Sequence, residues 1–239
     1  ISPAEGHWLY TGTNGDGVFR STDGGRTWQA AGLANLIIPA LAVHPENPQR
    51  LYARVAYERI YESEDGGNNW VARWEGFGLS TEVISLAIDP TQPQVLYAGS
   101  TNASFKSTDG ALSWQPIGPE LTGQTVFRLV VDSANPECIY AGATEGLYRS
   151  TDGGQTWERW GKGLEDISVT ALAFHPQHVN VVYAGTKYQG VYRSGDGGRT
   201  WRPANDGLGE VSVRDLAVSP DGRWLLATTS REFFRGTAR

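Results

Sequence analysis

Ser150-Thr151-Asp152-Gly153-Gly154-Gln155-Thr156-Trp157 decides the fold, because the same pattern returns elsewhere in the chain. It stands without gaps at Ser21–Trp28, Ser63–Trp70, Ser107–Trp114 and Ser194–Trp201. The first serines lie 42, 44, 43 and 44 residues apart. Five octets so evenly spaced define an internal repeat of about 43 residues, and a period of that size signals a solenoid, a propeller or an array.

Working outward from the octet, each unit carries four short strand signals. The clearest unit runs from Val169 to Asn205. Thr170–Phe174 is apolar almost throughout, as a strand covered on both faces is, and His175-Pro176 ends it. We label this strand A. Strand B is Val181–Gly185, whose small residues allow neighbouring sheets to approach closely. Strand C is Gly190–Ser194, and the octet then makes the C–D turn. Strand D is Thr200–Ala204, where Pro203 demands an edge position. Four antiparallel strands per unit, with no room for an ordinary helix, read as the blades of an all-β propeller. A solenoid of hairpins is the competing architecture, but its repeats are usually shorter and parallel.

The ends bear on the blade count. Ile1-Ser2-Pro3 aligns with Val43-His44-Pro45 and Val218-Ser219-Pro220, the close of a strand A. Trp8–Thr11 is then a first strand B, Trp224–Thr228 a last strand B and Glu232–Arg235 a last strand C, with no sixth octet after Phe234. The expectation is a single propeller domain over residues 1–239, with about five and a half modules and incomplete first and last blades. Six blades fit best, an upstream segment supplying the missing strands, with five or seven as alternatives. No residue is methionine, not even residue 1, so either an N-terminal segment was removed, which a cleaved signal peptide would fit, or the chain begins inside a longer one.

Inside the octet, Asp23, Asp65, Asp109, Asp152 and Asp196 are placed to accept backbone amides of their own turn. Trp28, Trp70, Trp114, Trp157 and Trp201 are placed as apolar plugs against the adjacent blade. Each turn offers one carboxylate, whereas calcium wants several oxygens, so the octet reads as structural and no metal or cofactor is expected.

Composition narrows the function. The net charge is −6 with both signs spread along the chain, which argues against nucleic acid. No apolar run is long enough to span a bilayer as a helix. Cys138 is the single cysteine, so an intrachain disulfide is excluded, and it reads as a buried thiol. His44 and His175 share a repeat position filled elsewhere by Asp89 and Ser219, the mark of a turn cap, while His7 and His178 show no metal-ligand spacing.

The octets resemble the Asp-box, or BNR, repeats of sialidases and of many extracellular propellers. The regular spacing and the run Gly190-Val191-Tyr192-Arg193-Ser194 are similar to two groups: photosystem II assembly-factor-like propellers, which bind proteins, and sialidase or xyloglucanase-type hydrolases. A sialidase implies an Arg-Ile-Pro motif, an arginine triad and a tyrosine–glutamate pair; Arg59-Ile60-Tyr61 half matches the first, on a strand C. A xyloglucanase implies two carboxylates across a cleft between two propellers. Asp16, Glu82, Glu145, Asp166 and Glu210 are loop acids, but no motif marks any of them.

The sequence therefore reads as a non-catalytic interaction or scaffold propeller, an accessory subunit or assembly factor of an extracytoplasmic or membrane-associated complex with a protein partner. A glycoside hydrolase or carbohydrate-binding propeller is the alternative. B–C and D–A loops share the face that propellers usually offer to ligands, opposite the octets. Candidate residues there are Arg54, Tyr57 and Arg59, Lys187 and Tyr188, Arg231, and Arg128 and Arg214 at the starts of inner strands. Arg and Tyr are enriched in interface hot spots. Trp74, Phe77 and Trp160 lie in strand D or its exit and read as inter-blade packing.

Overall fold

Six antiparallel sheets follow one another along the chain in the computed structural model, which describes residues 6–57, 59–78, 81–205, 207–231 and 233–238. The first sheet holds β1 (Leu9–Gly12), β2 (Val18–Ser21) and β3 (Gln29–Ala30). The second holds β4 (Ala40–Val43), β5 (Leu51–Arg54), β6 (Ile60–Ser63) and β7 (Val71–Arg73). The third holds β8 (Val83–Ile88), β9 (Leu96–Ser100), β10 (Ser104–Ser107) and β11 (Gln115–Ile117). The fourth holds β12 (Val126–Val131), β13 (Ile139–Ala143), β14 (Gly146–Ser150) and β15 (Glu158–Trp160). The fifth holds β16 (Val169–Phe174), β17 (Val182–Thr186), β18 (Val191–Ser194) and β19 (Arg202–Pro203). The sixth holds β20 (Val213–Val218), β21 (Trp224–Thr229) and β22 (Phe233–Thr237). The single helical turn among the described residues is Pro119–Leu121.

This is a six-bladed, all-β propeller. Within each blade the strands pair in chain order, and the innermost strands β4, β8, β12, β16 and β20 pack one on the next. Strand D is shorter than expected. In the fifth blade it is only Arg202–Pro203, because Thr200 is held back by its amide bond to Asp196 and belongs to the turn. The first and last blades show three strands each among the described residues; Ile1-Ser2-Pro3 and Glu232 lie outside them.

The core is divided among the seams between blades. One cluster joins Tyr97 of β9 to Val126, Leu129 and Ile139 of the next blade and to Trp157. Equivalent clusters carry Trp114 and Trp201. Gly99, Gly142 and Gly185 recur in strand B because a side chain there would run into Val126, Val169 and Val213 of the following blade. Four of the five octet tryptophans sit on the glycine that follows the preceding blade's strand D: Trp70 on Gly32, Trp114 by Gly76, Trp157 on Gly118 and Trp201 on Gly161. Trp28 departs from the expected plug and is 42% exposed. Phe77 stacks edge-on against Phe105 at 4.8 Å and lies 5.1 Å from Trp114, so it serves the seam.

The octet turn is held by its aspartate. Asp196 accepts the Thr200 hydroxyl at 2.6 Å, the Thr200 amide at 2.9 Å and the Ser194 hydroxyl at 2.7 Å. These bonds favour the carboxylate and hold its pKa down to about 2. Asn69, through its amide and side chain, holds Asp65 down to about 2 as well. At Asp152 burial pushes upward, but bonds from Thr156 and Ser150 outweigh it and the value again falls to about 2. A depressed folded-state pKa contributes stability that is present above the unfolded value of about 3.9 and lost as pH falls through the folded one. Thermal melts should therefore decline progressively between about pH 4 and pH 2. Asp152→Asn should flatten that decline, because it removes one of the titrating groups.

The turn-cap reading of the histidines also holds in the structure. Nδ1 of His44 accepts the amides of Glu46 and Asn47, both at 3.2 Å, and Nδ1 of His175 accepts those of Gln177 and His178 at 3.2 Å. Asp89 does the same for Thr91 and Gln92 at 2.8 and 3.0 Å. His44→Asp should therefore stay within about 0.5 kcal/mol of the parent in urea denaturation. His175→Asp should cost about 1 kcal/mol, because His175 Nε2 also meets the Gly222 carbonyl of the next blade at 3.1 Å. His178, which the sequence left isolated, stacks on His175 with ring centres 4.6 Å apart.

Candidate functional site at the mouth of the central channel

Each inner strand from the third blade on begins with a bulge. The register slips between Val83 and Ser85, Val126 and Arg128, Val169 and Ala171, and Val213 and Asp215. An extra residue in one strand kinks it and re-aims its side chains. The inserted positions are Ile84, Phe127, Thr170 and Arg214, and the bulges bring them to the rim of one polar funnel of about 410 Å³. Five inner strands line it, through Pro39, Ala40 and Leu41, then Ile84–Leu86, Phe127–Arg128, Thr170 and Arg214–Asp215.

The hydroxyls of the funnel are engaged with backbone. Ser85 donates to the Val126 carbonyl at 3.2 Å, and Thr170 Oγ1 lies 2.6 Å from the Val213 carbonyl. The charged groups behave otherwise. Arg128 Nη1 reaches Asp215 Oδ1 at 3.5 Å, from the fourth blade to the sixth. Arg128 Nε is buried and meets no hydrogen-bond partner. Arg214 is exposed at the rim. The structure thus brings Arg128 and Arg214 together, with Asp215 as a third member that the sequence reading missed. Its signal was available: the columns Ser85, Arg128, Ala171 and Asp215 align, and the fourth and sixth blades carry charge where the third and fifth have a small residue.

The other candidates are distributed around this mouth. Tyr57, on the second B–C loop, is 87% exposed and held at φ 60°, a backbone region a tyrosine adopts rarely. Arg59 lies over the Trp74 ring at 4.0 Å, and Trp74 is 45% exposed, so that tryptophan is partly outside the packing expected of it. Lys187 lies over Tyr188, which is 66% exposed. Arg231 is exposed on the last B–C loop beside Phe233, itself 63% exposed. Arg54 has a different post. It occupies the strand-B position of Gly99, Gly142 and Gly185, is buried, donates through Nε to the Val83 carbonyl, and pairs with Glu82 at 2.9 Å.

The loop acids are mostly tied to cations. Glu82 pairs with Arg54, and Arg159 pairs with Glu145 at 3.4 Å and Asp166 at 3.1 Å. Asp16 and Glu210 are exposed. Among the described residues the five octet aspartates, Glu165 and Asp221 are held below the ordinary carboxylate range, chiefly by hydrogen bonds within their own turns. Among the described residues no three His, Cys, Asp or Glu side chains gather closely enough to hold a metal ion, and no helix is long and apolar enough to cross a membrane.

The family model described as photosynthesis system II assembly factor YCF48 matches residues 71–238. The chain belongs to that family. A BNR/Asp-box repeat model matches residues 19–30, over the first octet. Among solved structures, YCF48 from Cyanidioschyzon merolae superposes with a TM-score of 0.67 at 18% identity, over 92% of this chain and 76% of its own. A structure of YCF48 bound to D1 peptide gives 0.64 at 17% identity, over 93% and 71%. An ancestral GH74 enzyme gives 0.82 at 22% identity over 99% of this chain, which spans 35% of that enzyme's length. At these identities the likenesses speak for the fold. No curated protein matches the sequence.

Proposed function

We propose that this YCF48-family chain is a non-catalytic interaction propeller, an assembly factor or accessory subunit that holds a protein partner on the face around the channel mouth. The observation that carries the reading is the composition of that face. Exposed Tyr57, Tyr188 and Phe233 stand among arginines, while Glu82 pairs with Arg54 and Glu145 and Asp166 share Arg159. Exposed aromatics with arginine are the residues that dominate binding energy at interfaces, whereas hydrolysis needs a free carboxylate pair. The family supports the reading, and a YCF48 structure with a bound D1 peptide shows that a related propeller takes a peptide. The proposal includes a site of action outside the cytoplasm, at a membrane surface, in keeping with the extracellular Asp-box propellers it resembles.

The test is crosslinking capture from native membranes with the parent chain and with Tyr57→Ser plus Tyr188→Ser. Both tyrosines are exposed, so the variant keeps the fold. A protein recovered by the parent and lost by the variant supports the interface; equal recovery by both sinks it. Xyloglucan incubated with the chain should release no reducing sugar.

A further inference from the structure

Strand B of an inner blade is covered on both faces: β9, β13 and β17 are buried at every residue. β21 alternates instead. Leu225, Ala227 and Thr229 are buried, while Trp224 and Thr228 are exposed and Leu226 is half-buried. Their cross-strand partners Thr237, Phe233 and Arg235 are exposed on that same face. The first blade has the matching exposure on its opposite side. In the fourth blade Ile139, Ala141, Tyr148 and Trp157 form the face that receives Tyr97 of the third, and all four are buried. The same columns of the first blade hold Leu9, Thr11, Phe19 and Trp28. There Thr11 and Trp28 are exposed, and Leu9 and Phe19 are half-buried. Five hydrophobic clusters fill the seams from the first blade round to the sixth, and among the described residues none joins the sixth blade to the first.

The two uncovered faces are complementary. In two of the filled seams a strand C cation crosses to the octet of the next blade: Arg20 Nη1 donates to the Gly66 carbonyl and Lys106 Nζ to the Gly153 carbonyl, both at 2.9 Å. Arg235 stands in that column of the sixth blade and lies over the Trp224 ring at 4.6 Å. Gly24 is the equivalent octet glycine of the first blade. Nothing lies within 4 Å of its Cβ position, whereas the crossing cation occupies that space at Gly66 and Gly153. Thr228 supplies a second match. It fills the strand B column of Gly99, Gly142 and Gly185, where a side chain would strike the inner strand of the next blade. The first blade has no inner strand among the described residues, so its face leaves room for a threonine there.

We propose that a second copy of this chain covers these faces, head to tail, with the sixth blade of one protomer packed on the first blade of its partner. The contact repeats the seams within the chain. Arg235 reaches the Gly24 carbonyl across the interface, and Trp224 and Leu226 lie on Leu9 and Phe19. Burying these side chains removes a contiguous apolar face from water, which is the driving force. The two surfaces differ, so the association is heterologous: it closes into a ring of copies or it grows.

Sedimentation velocity of the chain from low to high micromolar concentration is the test. The mass should rise with concentration above that of one chain. Trp28→Ala spoils only the first-blade face and Arg235→Glu only the sixth-blade face, and both side chains are exposed, so the fold is kept. Each variant alone should associate about tenfold or more weakly than the parent. An equal mixture of the two should associate again and stop at a dimer, because the intact sixth blade of the Trp28 variant meets the intact first blade of the Arg235 variant. A parent that stays monomeric at every concentration overturns the proposal. So does a mixture no more associated than its components. Two sixth blades paired with each other would leave Trp28→Ala fully associated, and that result overturns it too. Tyr57 and Tyr188 belong to the second and fifth blades, so their interface stands or falls separately.

Discussion

Trp157→Ala should cost about 3–5 kcal/mol of folding stability, the range for removing a buried tryptophan, while Trp28→Ala should cost about 1 kcal/mol or less. The two residues hold the same place in the repeat. They differ in what lies against them. Trp157 is 6% exposed, donates through Nε1 to the Gly154 carbonyl at 3.1 Å, and lies against Gly118 of the preceding blade. Its removal empties the seam cluster that joins Tyr97, Leu129 and Ile139. Trp28 is 42% exposed, so much of its surface is in water already. Urea denaturation followed by fluorescence of the remaining tryptophans measures both. Equal losses would mean that the octet tryptophan acts through its own turn and not through the seam.

That contrast marks what the sequence could reveal. Periodicity is a property of the repeat, so strand order, the six B and six C strands and the octet turns were all legible from spacing. The glycines of strand B were legible too, since Gly99, Gly142 and Gly185 recur at one column. The same column explains a miss. Arg54 stands there in the second blade and was read as a binding-face cation because it borders a loop. A side chain in that column points into the seam, where the Val83 carbonyl and Glu82 receive it. The charge alone did not say so; the register did.

The funnel was half legible. Arg128 and Arg214 open inner strands, and inner strands face the channel. Their convergence depends on bulges, which shift a side chain between faces without altering the apolar pattern that betrays a strand. Asp215 follows Arg214, and simple alternation would turn only one of the two to the mouth; the bulge between Val213 and Asp215 brings both there. Trp74 shows the same limit from another side. Its place after β7 suggested packing, but it is 45% exposed and lies beneath Arg59.

Gly76→Ala should be the most damaging single-methyl change in the chain, with a loss of about 4 kcal/mol or more, the exceptional end for point substitutions. Gly76 has φ +96°, where any Cβ is strained. The new Cβ would also collide with the Trp114 carbonyl oxygen, which belongs to backbone and cannot rotate away. That backbone is pinned by the Trp114 amide bond to the Glu75 carbonyl at 2.8 Å. Relief therefore requires the second and third blades to separate, which exposes Trp114, a side chain 2% exposed in the closed seam. Gly123 supplies the control. It has φ +84°, but nothing lies within 4 Å of its Cβ position, so Gly123→Ala should cost only about 1 kcal/mol. Because a domain is stable by about 5–15 kcal/mol, the Gly76 variant should show a large fall in urea midpoint, or little soluble protein at all. Near-ultraviolet circular dichroism should lose the Trp114 and Phe77 signal in the same variant. A Gly76→Ala chain as stable as Gly123→Ala would show that the seam can open at that point without cost, contrary to the packing described.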